Sequence, residues 1–198
     1  MADNMDFNGA EAQDAAFDLI PANTLVKVTL TIRPGGAGPE GWLTQSRTSS
    51  ALYLNTEAVV LEGPHARRRI YTRIGFKGKS VNERGEDTYA NRGRALIRGI
   101  LESARGIKAS DQSESARAAR TIRSLGDLNG LDFVAKVGVE KDRNNPDDAG
   151  RNVIKAAIGP EHAQYASVMG AVPPAPQTPP AQSAPAAPSA SGAPFWAR

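Results

Sequence analysis

The stretch RRRIYTRIGFKGK, residues 67–79, decides the reading of the fold. Ile70, Thr72, Ile74 and Phe76 fall on one side of a period of two, and Arg69, Tyr71 and Arg73 fall on the other. A period of two is that of a half-buried strand. Its unusual feature is the outward row, which carries cations and a ring where small polar groups and both charge signs are normal.

Working outward, LVKVTLTIR (25–33) alternates in the same way, with Val26, Val28, Leu30 and Ile32 on one face and Lys27, Thr29, Thr31 and Arg33 on the other. The glycine-rich loop PGGAGPEG leads to Trp42, and ALYLNTEAVVLEG (51–63) is a second strand with Leu52, Leu54, Ala58 and Val60 on one side. Gly63-Pro64 starts the turn into the opening stretch. After it, NRGRALIRGILESARG places Leu96, Ile97, Ile100, Leu101 and Ala104 on one helical stripe, with Gly106 as the stop. DQSESARAARTIR predicts a short helix capped by Asp111, with Glu114 three residues later. In DFVAKVGVEK, Phe133, Ala135, Val137 and Val139 alternate with polar residues, and the loop KDRNNPDDAG separates that strand from RNVIKAAIG (151–159).

Three strands, a helix and two strands make a mainly β protein with a helical insertion. That is the order of the five-stranded OB-fold, a partly open Greek-key barrel. A two-layer α+β sheet gives the same string. The expected organisation is an acidic, flexible segment over 1–19, the domain over 20–168, and a disordered Pro/Ala/Ser-rich tail over 169–198. From Ala171 the chain has eight prolines and no charge before Arg198, yet it ends in Phe195 and Trp196. Those two aromatics are a candidate partner-binding tip.

Composition bounds the chemistry. The chain has no cysteine and two histidines, His65 and His162, so thiol catalysis, thiolate metal sites and disulfides are excluded. No apolar run approaches a membrane span, and the acidic start lacks a signal-peptide layout. A cytoplasmic protein of a bacterial host cell, without membrane attachment, is the expectation. The net charge is only +3, but residues 65–105 carry eleven Lys/Arg against four acids, a local net of +7. Five acids and no base occupy residues 1–20. Segregated charge of this kind suits a polyanion partner, with the acidic segment as a competitor for the basic face.

Two motif readings fail. Gly78-Lys79-Ser80 ends like a phosphate-binding loop, but Arg73 stands where that pattern needs glycine, and loop rather than helix follows. Asp142, Asn144, Asp147 and Asp148 lack the alternation, central glycine and distal glutamate of a calcium loop. The basic and aromatic residues fit better, because cations track a single-stranded backbone and rings stack on its bases, at roughly 1–3 kcal/mol per stack. The candidate contact residues are Arg69, Tyr71, Arg73, Tyr53, Lys77 and Lys79, extended by Trp42 and Arg47.

In FDLIPANTLVKVTLTIRPGG, RALIRGILESARGI and LNGLDFVAKVGVEKD … RNVIKAAIGPEHAQYASV, the chain resembles phage and prophage single-stranded DNA-binding proteins with an OB-fold, over most of residues 17–168. The resemblance implies sequence-independent binding of single-stranded DNA in phage replication or recombination, with neither catalysis nor a cofactor or metal. RNA remains an alternative ligand, and oligomers are compatible with it. Bacterial proteins of this kind end in an acidic tip finishing in Pro-Phe, a docking site for replication or recombination proteins. This chain has Pro194-Phe195 but lacks the acids. The alternative function is a non-enzymatic interaction or assembly protein of phage origin, using the sheet face and the C-terminal tip for protein partners.

Overall fold

Strand β1 (Leu25–Arg33) lies at the centre of one antiparallel sheet, and its register follows from its alternation. Val28, Leu30 and Ile32 are buried, while Lys27, Thr29, Thr31 and Arg33 face outward. Long strands β3 (Leu52–Val60) and β5 (Asp132–Glu140) flank it, and β4 (Arg69–Lys77) and β6 (Arg151–Ile158) pair outside those two. The two-residue strand β2 (Thr44–Gln45) pairs with the start of β3, opposite β4. The computed structural model describes residues 6, 8–9, 18–142, 144–145 and 147–170. The predicted acidic segment lies mostly outside that range and the tail almost wholly so, with Phe195 and Trp196 among the undescribed residues.

The sheet thus has six strands rather than five, because β2 is too short to show a period. Its path β4-β3-β1-β5-β6 is not closed by a ladder between β4 and β6. The two edges approach nonetheless: the Ile154 amide donates to Thr72 Oγ1 at 2.9 Å, while Thr56 Oγ1 donates to the Thr72 carbonyl at 2.7 Å. These buried hydroxyls have hydrogen-bond partners, which offset the cost of taking them out of water.

Helix α1 (Thr88–Arg105) packs its predicted stripe against β4, β5 and β6. Asp87 caps it, accepting from the Ala90 amide at 2.9 Å and the Gly78 amide at 2.6 Å, and these bonds hold its carboxyl below the usual range. Gly106 ends the helix at φ 65°, as the sequence predicts. Close approach to the sheet is made possible by Gly93 in α1 and Gly75 in β4, since a Cβ at 93 would lie 1.7 Å from the Gly75 carbonyl oxygen.

Helix α2 (Glu114–Ala119) is capped by Ser113 rather than Asp111. Asp111 instead accepts from the Ser113 amide at 2.9 Å, which places it in the turn ahead of the cap. Arg98 and Arg120 share one oxygen of Glu102, at 2.8 and 2.7 Å, and Arg105 donates to the Ala119 carbonyl. Arg105 and Arg120 therefore tie α1 to α2, and Arg98 is held by a carboxylate of its own helix.

A third helix, α3 (Tyr165–Met169), was not legible in the sequence. It covers Val134 on the second face of β5, and Tyr165 donates its hydroxyl to the Ser103 carbonyl at 2.5 Å. No helix among the described residues is long and apolar enough to cross a membrane.

Candidate nucleic-acid interface

The β3–β4 register builds the outer face. Arg33, Asn55 and Arg73 stand in one row across β1, β3 and β4, and Thr31, Glu57 and Tyr71 stand in the next. Both tyrosines meet a guanidinium. Arg73 lies 5.2 Å from the centroid of the Tyr53 ring, and Arg33 lies 5.1 Å from that of Tyr71. At such distances the ring quadrupole attracts the cation, by about 0.5–1 kcal/mol at exposed sites. Tyr71 keeps 47% of its surface exposed, and Tyr53 is half-buried.

Glu57 organises this face. Its carboxylate accepts from Arg33 Nε at 3.0 Å and from a second Arg33 nitrogen, and from Arg69 Nη1 at 2.8 Å. The Glu57 bond raises the pKa of Arg33 further above its ordinary value. Arg69, one of the predicted contact residues, is thus held by a carboxylate. Among the described residues Arg73 has no acidic partner within salt-bridge distance, so it is the less committed charge of the row.

The rest of the predicted set distributes as follows. Lys77 and Lys79 are exposed at and beyond the end of β4, and Arg47 is exposed in the loop joining β2 to β3. The Gly78 amide between the two lysines is bonded to Asp87, so it is not offered to a phosphate. Trp42 is half-buried against the core, close enough to Gly126 that a Cβ there would lie 2.7 Å from the indole. Its role in packing is fixed by that contact.

Phe76 departs from the predicted inward face. The ladder shifts register between Leu52 and Tyr53, so that Gly75 and Lys77 pair with consecutive β3 residues and Phe76 is the extra one. A bulge of this kind re-aims a side chain, and Phe76 is 41% exposed.

Several residues of the face were missed from sequence. Tyr89, in the first turn of α1, lies against Gly75, and partial burial pushes its phenol pKa up. Between β4 and β6 the open seam forms a cleft of about 550 Å³, with Tyr71, Arg73 and Tyr89 on one side and Arg151 and Lys155 on the other. Arg151 is paired with Glu140 at 2.8 Å. The outward period of β1 and β6 contains Arg33, Arg151 and Lys155, but only pairing brings them to Tyr71.

Among the described residues no group of three or more His, Asp or Glu side chains is placed to hold a metal ion. Asp142 and Asp148 accept from backbone amides of their own loop, at 2.6 to 3.0 Å, which accounts for the acidic cluster there. No protein-family model matches the chain, and no curated protein matches its sequence.

Proposed function

We propose that this protein binds single-stranded DNA without sequence preference, on the outer face of β3 and β4 and in the adjoining cleft. The observation that carries the reading is the pair of guanidinium-covered tyrosines, Arg33 with Tyr71 and Arg73 with Tyr53. A base stacks on such a platform whatever its identity, and the cation meets the phosphate beside it. Arg151 and Lys155 across the cleft continue the positive lining. In this reading the sheet is an OB-fold barrel left open at one seam. The strand path, the helix between β4 and β5, and the Thr72–Ile154 bond across the gap support it. Action in phage replication or recombination, inside a bacterial cell, follows from the same reading, as does the absence of catalysis.

The test is a fluorescence titration with oligo-dT and with duplex DNA at two salt concentrations. Tight binding of the single strand, weakening steeply with salt, is the expected result. Indifference to oligo-dT at low salt sinks the proposal.

Glu57→Gln gives a sharper expectation. It removes the carboxylate that competes with phosphate for Arg33 and Arg69. Both guanidiniums are more than half exposed while the carboxylate they share is buried, so freeing them for phosphate raises affinity at low salt roughly three- to tenfold. A fall in affinity with the fold intact would mean that neutralisation by Glu57 is not what limits binding.

A further inference from the structure

A second concavity, outside the nucleic-acid face, is apolar. It has a volume of about 310 Å³, with walls from Trp42, Leu43, Phe76, Ile122 and Leu125, and Glu40 and Arg123 among its lining residues. That volume is at the low end of ligand sites, about 300–1,000 Å³, and suits one or two rings rather than a folded segment. Phe76 leaves two-fifths of its surface open here because the bulge turns it out of the sheet core. Exposed rings in a concave apolar wall mark a place where something docks.

The chain carries a ligand of matching chemistry. After Gly170 it has 28 further residues, without charge until Arg198, and their only aromatic side chains are Phe195 and Trp196. We propose that this cleft receives the Phe195–Trp196 tip of the same chain. The polar ends match as well as the rings. The Arg198 guanidinium lies two residues beyond Trp196, and the cleft offers Glu40 to it.

The reach is adequate. Met169 packs beside Leu25, at the start of β1, whereas the loop lining the cleft follows Arg33 at its other end. A nine-residue strand spans about 26 Å. The 25 residues that follow Gly170 up to Phe195 are proline-rich, and at about 3.1 Å per residue an extended tether of that length reaches roughly 75 Å, well beyond the distance to be covered. A tether that more than covers the distance still makes docking intramolecular, at an effective concentration set by the tether and not by the protein's own concentration. Weak intrinsic affinity therefore suffices.

The protein's two tryptophans stand on opposite sides of the proposed contact, one in the wall and one in the tip. In the full chain with Trp42→Phe, Trp196 reports alone. Its emission is expected to be blue-shifted and several-fold less quenched by acrylamide than in the free peptide SGAPFWAR, residues 191–198. Adding Phe76→Ser should return it to peptide-like quenching. A complementary measurement leaves the folded body untouched. In the full chain with Phe195→Ala and Trp196→Ala, Trp42 should shift to the red and quench more readily than Trp42 in a Trp196→Phe chain. Peptide-like quenching of Trp196 in the full chain, or an unchanged Trp42 in the tail variant, overturns the proposal. So does protection that grows with protein concentration, since that assigns the cleft to a tip from a second copy. None of these readouts involves DNA, so the result stands apart from the outcome of the binding titration.

Discussion

Gly93→Ala is expected to destabilise the protein, whereas Gly99→Ala, six residues along the same helix, stabilises it. Alanine replaces glycine inside a helix with a gain of about 1 kcal/mol where there is room, because the unfolded chain loses freedom. At Gly99 there is room, since the new Cβ would meet the Ala157 side chain at 3.4 Å, an ordinary contact. At Gly93 it would sit 1.7 Å from the Gly75 carbonyl oxygen. That oxygen belongs to a strand held in register with β3, so helix and sheet must separate. Overpacking costs about 1–3 kcal/mol and sometimes more, and a backbone obstacle puts this case at the upper end. Urea midpoints read both: Gly93→Ala falls by about 1 M or more, and Gly99→Ala rises by a few tenths. Equal shifts of the same sign would refute the close approach of α1 to β4.

The second large effect is on binding. Tyr71→Ala is expected to lower affinity for oligo-dT about tenfold to a hundredfold, the worth of one stacked base. It should leave the dependence on salt unchanged, because no cation is removed. Arg73→Ala should weaken binding less at high salt than at low salt, and should reduce the logarithmic slope by about 0.7, the share of one phosphate that is no longer neutralised. Arg69→Ala is the informative contrast. Arg69 is engaged by Glu57 at 2.8 Å, so its removal should change the slope less than removal of Arg73. If Arg69→Ala and Arg73→Ala flatten the slope equally, the geometry around Glu57 does not govern the face.

The contrast between those two arginines also marks the limit of the sequence. Alternation places Arg69, Tyr71 and Arg73 outward and Ile70, Thr72 and Ile74 inward, and the burial of β4 agrees. It likewise locates β1, β3, β5 and β6, and the helical stripe locates α1, to within a few residues. Alternation is local, however, and partners are not. Arg33 lies 38 residues before Tyr71 and reaches it only because β3 holds the two strands apart by one strand width. Glu57 is one acid among several until the register sets it between two guanidiniums. Phe76 escapes the alternation because a bulge breaks the period on which that reading depends. Helix α3 has five residues, too few to display a helical stripe.

The Glu57 clamp bears on how salt titrations of this protein should be interpreted. Condensed ions leave a nucleic acid when protein cations replace them, and that release gives the slope. On the protein side, Arg33 and Arg69 already have their counterion, and it is covalently part of the chain. When phosphate displaces Glu57, no dissolved anion is set free and a carboxylate must find water or another donor instead. Part of the exchange is then invisible to ionic strength. The measured slope would undercount the arginines that touch the strand, and with Glu57→Gln it would steepen toward the geometric number.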